Sequence, residues 1–511
     1  MPASSTRWTA LMVAALAARV LLVHFGWHAP LASRIELSSP VDSLARLREG
    51  AALVEMGLSP YEGSMLHVPP LVLLLFTPFL YVADALGASE APYASIVRSA
   101  PFVALDALVA AALFAIAARV AAASNGGDEN GTRKRFTDTS VPAFAACAYL
   151  LNPMSVAACA AGSTSALGTS CVALALAAAC KEKPEPIVAG ACLATLAFVT
   201  SDARVPTLLL YPVASLARDG AAGDANLRQF APRNSETKHS NRRFRATFGG
   251  FFAACLVLGA VSTRAYSDVG VTLEQWTNAT YAFTFLVTDL TPNLGVHWYL
   301  FAELFSHFRL FFLFVFHAFP AFLSVPVLAR YGHTRPILAV GVVLALHTAL
   351  GPYPTWGNVA GYLAFAPIFT HGELAFSARM TRTNAKNPTP RVGFAVSAAL
   401  AVTATLTPIF WHLWIEARVA NANFLFAVTL AHFAAQSALI VSWIGAAVER
   451  DAARRSARRS RAPREEKEKN AMAIGTIARD GPPYRDSGRG GEVQPRVATD
   501  APASGLARRK R

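Results

Sequence analysis

The stretch Ser95–Val120 reads SIVRSAPFVALDALVAAALFAIAARV and is long and apolar enough to cross a lipid bilayer as one helix. Its one carboxylate, Asp106, lies in the middle of the run. An ionisable group at membrane depth is costly and indicates a functional site by default. A carboxylate tied to a neighbouring helix would fit the sequence equally well, so both interpretations of Asp106 stay open.

Apolar runs of this kind recur along most of the 511 residues. Hydrophobic residues make up 54% of the chain, the mean hydropathy is +0.37 and 15% of residues are charged, whereas soluble proteins carry about 25%. We therefore predict an all-α polytopic membrane protein whose membrane domain is 1–448, with about 10–12 transmembrane helices. The candidate segments are 8–26, 68–86, 96–121, 141–160, 165–180, 187–217, 247–266, 282–325 (long enough for two), 336–351, 355–371, 391–415 and 421–448.

Positive charge is concentrated at the end of the chain and in some polar connections. Residues 449–511 hold 17 Lys/Arg and 9 Asp/Glu, a net +8 out of +14 for the whole chain. Because basic residues stay on the cytoplasmic side of membrane proteins, we predict a disordered cytoplasmic tail at 449–511 and a basic cytoplasmic loop at 218–246. The same rule explains the basic tail better than nucleic-acid binding does, so no nucleic acid is predicted as a partner.

The connection at 27–67 carries little positive excess and is predicted to be the first lumenal loop. Within it, Leu44, Leu47, Ala51 and Val54 recur at helical spacing, which predicts an amphipathic helix at the membrane surface. Two N-x-Thr sequons, at Asn130 and Asn278, are weak glycosylation signals.

A polar stretch, Asp289–Phe308, interrupts the apolar sequence and reads DLTPNLGVHWYLFAELFSHF. Its proline, asparagine and glycine predict a turn that leads into a helix near Val296. Glu303 and His307 are four residues apart, which predicts a shared helix face and a hydrogen-bonded pair at the lipid headgroup level. His-Glu-x-x-His spacing and clustered histidines are both missing, and the six cysteines form no CxxC pair, so no metal or cofactor is predicted.

Two further breaks, at 353–359 and 411–423, combine aromatic with polar side chains. Trp and Tyr at such breaks fit an interfacial aromatic belt, and the polar groups beside them would suit a glycolipid headgroup. The candidate lipid-binding residues of the three polar stretches are Asp289, Asn293, Trp298, Glu303, His307, Tyr353, Trp411, His412, Asn421 and Asn423.

The layout of the first lumenal loop resembles that of multi-spanning mannosyltransferases that use a dolichol-phosphate sugar. Those enzymes place a close acidic pair after the first span, as base and metal ligand. Here Glu36 and Asp42 are six residues apart with Pro40 between them, and this spacing does not bring two carboxylates to one cation or hydroxyl. The expected fold is therefore like that of the polytopic (GT-C) glycosyltransferases, without an intact catalytic acidic pair.

A more specific set of motifs is spread in order along the chain. The matching pieces are Ser59-Pro-Tyr61, Leu150-Leu-Asn-Pro153, Asp289-Leu-Thr-Pro-Asn293, Trp298-Tyr299, Phe301-Ala-Glu303, His307-Phe308, Tyr353-Pro-Thr355, Trp411-His-Leu-Trp-Ile415 and Ala420-Asn-Ala-Asn-Phe424. In these pieces the chain resembles the PIG-U family, the polytopic subunits of the glycosylphosphatidylinositol (GPI) transamidase. One departure is Asn358, where the family usually has an acidic residue.

The resemblance implies a multi-pass protein of the endoplasmic reticulum that assembles with a caspase-like catalytic subunit (PIG-K) and with PIG-T, PIG-S and GPAA. That complex cuts a C-terminal signal from a precursor protein and joins the new carboxyl end to the ethanolamine of GPI. Since the chain has no Cys/His nucleophile pair on a soluble domain, it would be a non-catalytic subunit that holds GPI or the hydrophobic signal. An active mannosyltransferase of GPI biosynthesis and a transporter or scramblase remain as alternatives.

Overall fold

The computed structural model describes residues 3–86, 92–125, 140–219, 236–370 and 389–479. These residues form helices and connections without a strand, which confirms the predicted all-α class. The chain divides into one compact unit, Met1–Arg450, and a second unit, Asp451–Arg511. Most of the basic connections, the end of the tail and the sequon at Asn130 lie outside the described residues.

Twenty α-helices are described, together with short 3-10 and π turns. The first ten are α1 (Ala3–His24), α2 (His28–Ala32), α3 (Leu44–Glu55), α4 (Pro70–Ala85), α5 (Pro92–Asn125), α6 (Ser140–Leu150), α7 (Pro153–Ala161), α8 (Ser165–Ala179), α9 (Pro186–Val199) and α10 (Arg204–Asp219). The others are α11 (Glu236–Arg264), α12 (Leu273–Thr277), α13 (Phe283–Leu286), α14 (His297–Glu303), α15 (Arg309–Tyr331), α16 (Pro336–Ala349), α17 (Trp356–Leu363), α18 (Ala366–Ile368), α19 (Thr389–Trp411) and α20 (Ala422–Arg479).

Several helices have the length and apolar composition that a membrane crossing requires, so this is a multi-pass membrane protein. Within the described residues six helices qualify, or seven if the bent pair of α6 and α7 is one span. The described helices reach the predicted total of 10 to 12 spans only if at least three of the four shorter apolar helices, α4, α8, α9 and α16, also cross the membrane. The six are Thr6–His24, Ile96–Ala122, Ser240–Val269, Ser306–Tyr331, Ala395–Glu416 and Ala422–Ala453.

The structure gives more detailed bounds for three of the predicted segments. The region 282–325 supplies one membrane-length helix instead of two, because its polar centre forms a loop and short helical pieces. The basic connection at 218–246 is helical from Glu236, where α11 begins. The tail, predicted to be disordered from 449, is helical through Arg479 because it is rich in Ala, Arg, Glu and Lys, which favour helices.

The bend between α6 and α7 shows how the sequence sets a helix boundary. The axes of the two helices differ by 49°. The side chain of Asn152 accepts a hydrogen bond from Met154 N at 3.0 Å, and Pro153 occupies the first helical position. Gly162 then ends α7 with a φ of 74°, a conformation that costs glycine little. Asn152 and Pro153 together therefore set the start of α7 and the bend before it.

The predicted amphipathic helix of the first loop is present as α3. Its apolar residues Leu44, Leu47 and Ala51 are buried in a cluster that also includes side chains of α4. The turn predicted from the Asp289–Phe308 stretch is also confirmed, since α14 begins at His297.

Glycines allow two pairs of helices to approach closely. On α9 and α11, a Cβ on Gly190 would lie 2.1 Å from Thr247 O, and one on Gly250 would lie 2.5 Å from Ile187 O. On α17, a Cβ on Gly357 would meet the Ser165 hydroxyl of α8. Gly357 of α17 therefore packs directly against the Ser165 side chain, and the contact between α8 and α17 forms one wall of a cavity.

Candidate functional site

A cavity of about 200 Å³ lies where the first loop, α8, the α9–α10 connection and the break after α16 meet. One water needs only about 15 Å³ of such space, so the cavity has room for a ligand of many atoms. The walls combine apolar side chains with polar ones, among them Asp42, Ser165, Asp202, His347 and Asn358.

Asp42 joins three parts of the chain through its carboxylate. Oδ1 accepts hydrogen bonds from Ser39 N and Ser39 Oγ, both at 2.7 Å. Oδ2 accepts from Ser163 Oγ and Thr355 Oγ1, both at 3.0 Å. Burial raises the pKa of Asp42, and these hydrogen bonds oppose the rise. The carboxyl group thus links the first loop to the segments that contain Ser163 and Thr355, and it lies at the cavity wall.

Thr355 and Asn358 form the capping box at the start of α17. Thr355 N donates to Asn358 Oδ1 at 2.9 Å, and Thr355 Oγ1 lies 2.9 Å from the same oxygen. The hydroxyl of Thr355 has one proton, and this proton faces both Asn358 Oδ1 and Asp42 Oδ2. An amide at position 358 fits this arrangement because it leaves Asp42 as the only carboxylate beside that hydroxyl.

Asp202 and His347 lie in another part of the cavity lining. Arg204 Nε donates to Asp202 Oδ1 and Arg204 Nη2 to Oδ2, both at 2.8 Å. His347 Nδ1 lies 3.6 Å from Asp202 Oδ2. Although burial acts to raise it, the neighbouring His347 and Arg204 hold the pKa of Asp202 well below its ordinary value. Asp202 is therefore an ionised carboxylate with its charge balanced by Arg204.

Two predicted residues, Asp289 and Tyr353, are brought together at the edge of this cavity. Tyr353 lines it, and its hydroxyl lies 3.1 Å from both the backbone N and O of Asp289. Asp289 Oδ2 is 3.4 Å from Arg46 Nη2 of α3, and Oδ1 accepts from Thr291 N at 2.9 Å. Asn293 is buried, and its Oδ1 accepts from Gly295 N at 2.7 Å, so its side chain shapes the turn.

A second group of predicted residues forms an aromatic cluster. Trp298 stacks on Trp414 with ring centroids 6.3 Å apart, and Trp414 contacts Trp411 edge-on. Tyr299 donates a short hydrogen bond to Asn423. Asn421 Oδ1 accepts from Asn423 N at 3.0 Å, and the exposed His412 Nδ1 lies 2.5 Å from Glu416 Oε2. Trp298, Trp411, Asn421 and Asn423 thus come together, with His412 beside them.

The predicted Glu303–His307 pair was wrong. Helix α14 ends at Glu303 because Leu304 adopts an extended conformation, with φ −78° and ψ 132°. His307 belongs to a separate 3-10 turn and contacts the rings of Phe305 and Phe308. Both side chains are exposed, and the hydrogen bonds and ion pairs of the described residues do not connect them.

Asp106 is tied to neighbouring helices instead of facing the cavity. Its Oδ2 accepts from Arg19 Nε and its Oδ1 from Tyr149 Oη, both at 2.7 Å. Arg19 is fully buried and also donates to Leu150 O at 2.7 Å and to Ser155 Oγ at 3.0 Å. Of the two interpretations of Asp106, the geometry favours a structural ion pair inside the helical bundle.

Sequence reasoning missed Asp202, His347 and Thr284, all of which line the cavity. His347 lies inside the candidate segment 336–351, and Asp202 lies inside the candidate segment 187–217. An ionisable residue inside or at the end of a membrane segment is itself a signal. Applied to all the runs and not only to 96–121, that signal identifies both residues.

Comparison with known proteins places this architecture in a family. The model of the family described as GPI transamidase subunit PIG-U matches residues 13–432. A human protein named GPI-anchor transamidase component PIGU is 29% identical over 464 residues, which cover 86% of this chain and 93% of the human protein. A Schizosaccharomyces pombe protein named GPI transamidase component GAB1 homolog is 26% identical over 400 residues, 78% of this chain and 82% of that protein.

The membrane-length helices define a multi-pass membrane protein, and a cavity lined by both apolar and polar side chains lies between its elements. The family match covers most of the chain. The chain belongs to the PIG-U family of GPI transamidase subunits, as its motifs predicted.

Proposed function

We propose that this chain is a non-catalytic component of the GPI transamidase in the endoplasmic reticulum and that it holds the GPI glycolipid for attachment to proteins. The family and the names of the relatives support a role in that complex. The polar part of the glycolipid occupies the cavity between the first loop, α8, α10 and α17, and its acyl chains remain in the membrane.

The observation that carries this proposal is the position of the cavity next to the family motifs. Tyr353 belongs to the cavity wall and is hydrogen-bonded to Asp289, so two of the motif stretches meet at its edge. Polar groups that converge in a mostly apolar enclosure are typical of ligand sites. The aromatic cluster around Trp298 and Trp414 supplies rings suited to the lipid headgroup level.

The chemistry of peptide cleavage and GPI transfer is assigned to another subunit. All six cysteines lie within apolar helices or at their ends, four of them buried and two half-buried, and none forms a disulfide. A caspase-like subunit of the PIG-K type would supply the nucleophile, with PIG-T, PIG-S and GPAA as further partners.

The mannosyltransferase alternative is weakened by Asp42. A catalytic carboxylate needs an oxygen that is free to take a proton or bind a cation. Oδ1 of Asp42 accepts two hydrogen bonds from Ser39, and Oδ2 lies 3.0 Å from the hydroxyls of Ser163 and Thr355. Transfer of mannose from dolichol-phosphate mannose to a GPI precursor by the purified chain, lost in Asp42→Asn, would restore this alternative.

Filling the cavity tests the proposal. Leu344 lines the cavity, and Leu344→Trp would take up much of its volume. Leu323→Trp, at an exposed position of α15, is the matched control. In cells that lack the endogenous subunit, we expect Leu344→Trp to assemble with the caspase-like subunit but to reduce surface display of GPI-anchored proteins. Normal display with Leu344→Trp at equal expression would contradict the proposed site.

A further inference from the structure

We propose that the cavity binds a sugar portion of the glycolipid and excludes its phosphate groups, with His347 and Thr284 as the residues that recognise the sugar. This inference rests on the proposed function and specifies which part of the ligand the site takes. Four features of the cavity support it: its charge, its unused hydrogen-bonding groups, its surplus of acceptors and its apolar surface.

The charge of the lining is wrong for a phosphate. Among the residues that line the cavity in the described part of the chain, none is lysine or arginine, whereas Asp42 and Asp202 are carboxylic acids. Phosphate recognition relies on cations or several N–H donors directed at the oxygens. The nearby Arg204 is already used by Asp202 and by His317. A phosphate placed here would meet carboxylates without a compensating cation.

Two buried side chains on the cavity wall have hydrogen-bonding capacity that the protein does not use. Nε2 of His347 makes no hydrogen bond, although the residue is only 7% exposed, while its Nδ1 lies 3.6 Å from Asp202 Oδ2. The hydroxyl of Thr284, 8% exposed, is also without a hydrogen bond. Leaving a buried polar group unsatisfied is unfavourable, so a pair of them on one cavity indicates a polar ligand.

The other hydroxyls of the lining present acceptors more than donors. Thr200 Oγ1 donates its proton to Leu196 O at 2.8 Å, and Ser201 Oγ donates to His67 O at 3.0 Å. Tyr353 Oη lies within hydrogen-bond distance of the Asp289 backbone. Each oxygen keeps lone pairs available, so a matching ligand must bring donors. Sugar hydroxyls and the amine of an amino sugar meet this requirement, and a phosphate does not.

Apolar side chains complete the lining and suit the C–H faces of a sugar ring. Val172, Val199, Val205 and Leu344 all contribute to the cavity. The site therefore combines flat apolar patches with a few polar groups that fix orientation, which is the usual composition of a small-molecule pocket.

The test uses the full chain, purified with its associated subunits in lipid nanodiscs, and two soluble probes. Glucosaminyl-inositol without phosphate represents the sugar portion, and ethanolamine phosphate represents the phosphate groups. Each probe competes against photo-cross-linking of a GPI analogue to this chain, and the labelled peptides are mapped. We expect glucosaminyl-inositol to protect the cavity peptides and ethanolamine phosphate to give no protection at equal concentration.

The variants Thr284→Val and His347→Phe remove the unused polar groups without a large change in shape. We expect each to weaken competition by glucosaminyl-inositol roughly 5- to 10-fold, the effect of one or two lost hydrogen bonds. Because the Thr284 hydroxyl is unsatisfied in the free protein, Thr284→Val should keep an equal or higher melting temperature. His347→Phe also removes the contact with Asp202 and should lower the melting temperature, so its effect is judged from the competition. Thr277→Val is the matched control, since its hydroxyl bonds its own helix and does not line the cavity.

The outcomes separate the two proposals. If the GPI analogue labels the cavity peptides but only ethanolamine phosphate competes, or if Thr284→Val and His347→Phe compete like Thr277→Val, the sugar assignment is wrong while glycolipid binding stands. If the analogue labels no cavity peptide, the proposed function itself fails. Lower melting temperatures with unchanged competition would give His347 and Thr284 a structural role only.

Discussion

The hydroxyl of Tyr353 lies 3.1 Å from both the backbone nitrogen and the backbone oxygen of Asp289, across 64 residues of sequence. One phenol thus fixes the turn before α14 against the break between α16 and α17. The contact holds together the two motif stretches that border the cavity, so its loss should affect both stability and ligand binding.

Tyr353→Phe should destabilise the chain by about 1–3 kcal/mol, because the Asp289 N–H loses its only described partner in a partly buried place. It should also reduce cross-linking of the GPI analogue. Tyr61→Phe is the control, since Tyr61 Oη bonds Val68 O at 3.0 Å away from the cavity lining. Thermal unfolding and cross-linking of both variants provide the measurement. If Tyr353→Phe and Tyr61→Phe cross-link to the GPI analogue equally well, the contact between Tyr353 and Asp289 does not contribute to ligand binding.

The ion pair between Arg19 and Asp106 should respond as a buried pair does. Arg19→Met leaves Asp106 as a buried charge without its cation and should cost about 3–5 kcal/mol. In Arg19→Met/Asp106→Leu the uncompensated charge is gone, so part of the stability should return. Denaturant titration in detergent measures both variants. If the double variant is no more stable than the single one, desolvation of Asp106 is not the main cost.

The double variant also separates the two interpretations of Asp106. If Arg19 and Asp106 have only a structural role, cells that express the double variant should display GPI-anchored proteins in proportion to the amount of the variant present. Loss of display at normal abundance would instead assign Asp106 a direct functional role.

Asp42 should make stability depend on pH. Burial raises its folded pKa above the unfolded value of about 3.9. Such a group contributes stability that is fully present below the unfolded pKa and is lost as the pH rises through the folded pKa. Relative to Asp42→Asn, the wild type should therefore lose melting temperature as the pH rises above about 4. A difference that is constant with pH, or that grows in favour of the wild type, would mean that the hydrogen bonds of Ser39, Ser163 and Thr355 outweigh burial.

The parts of the fold that follow from local sequence were predictable. The apolar runs predicted an all-α membrane protein, and Pro292, Asn293 and Gly295 predicted the turn before His297. Contacts between distant residues were not accessible in this way. The approach of His347 to Asp202 and the four donors around Asp42 depend on how α8, α16 and α17 pack, and no spacing within one segment encodes them.

The break at Leu304 was missed for a different reason. The sequence around it, Phe301–Phe308, contains no proline or glycine and has a pattern that a continuous helix would also show. The chain nevertheless turns there, because Phe301 and Leu304 pack in a cluster with Phe312 and Phe316 of α15. Tertiary packing overrode the local helical preference, so the predicted pairing of Glu303 with His307 failed.

Helix packing at α9 and α11 gives a prediction with a control one residue away. A Cβ on Gly250 would lie 2.5 Å from Ile187 O and 2.8 Å from Ile187 Cα, a clash with backbone that no side-chain rotation relieves. A Cβ on Gly249 meets no atom within 4 Å. Gly250→Ala should therefore destabilise the chain by several kcal/mol, of the order seen for overpacked cores. Gly249→Ala should be neutral or stabilising by up to about 1 kcal/mol, because alanine is the better helix former.

Thermal unfolding of the two alanine variants, purified in the same detergent, makes the comparison. Both substitutions add one methyl group to the same helix, so their difference isolates the contact between α9 and α11. Equal melting temperatures would mean that the two helices can move apart without loss. A melting temperature lowered only in Gly250→Ala would establish that this glycine contact sets the distance between α9 and α11.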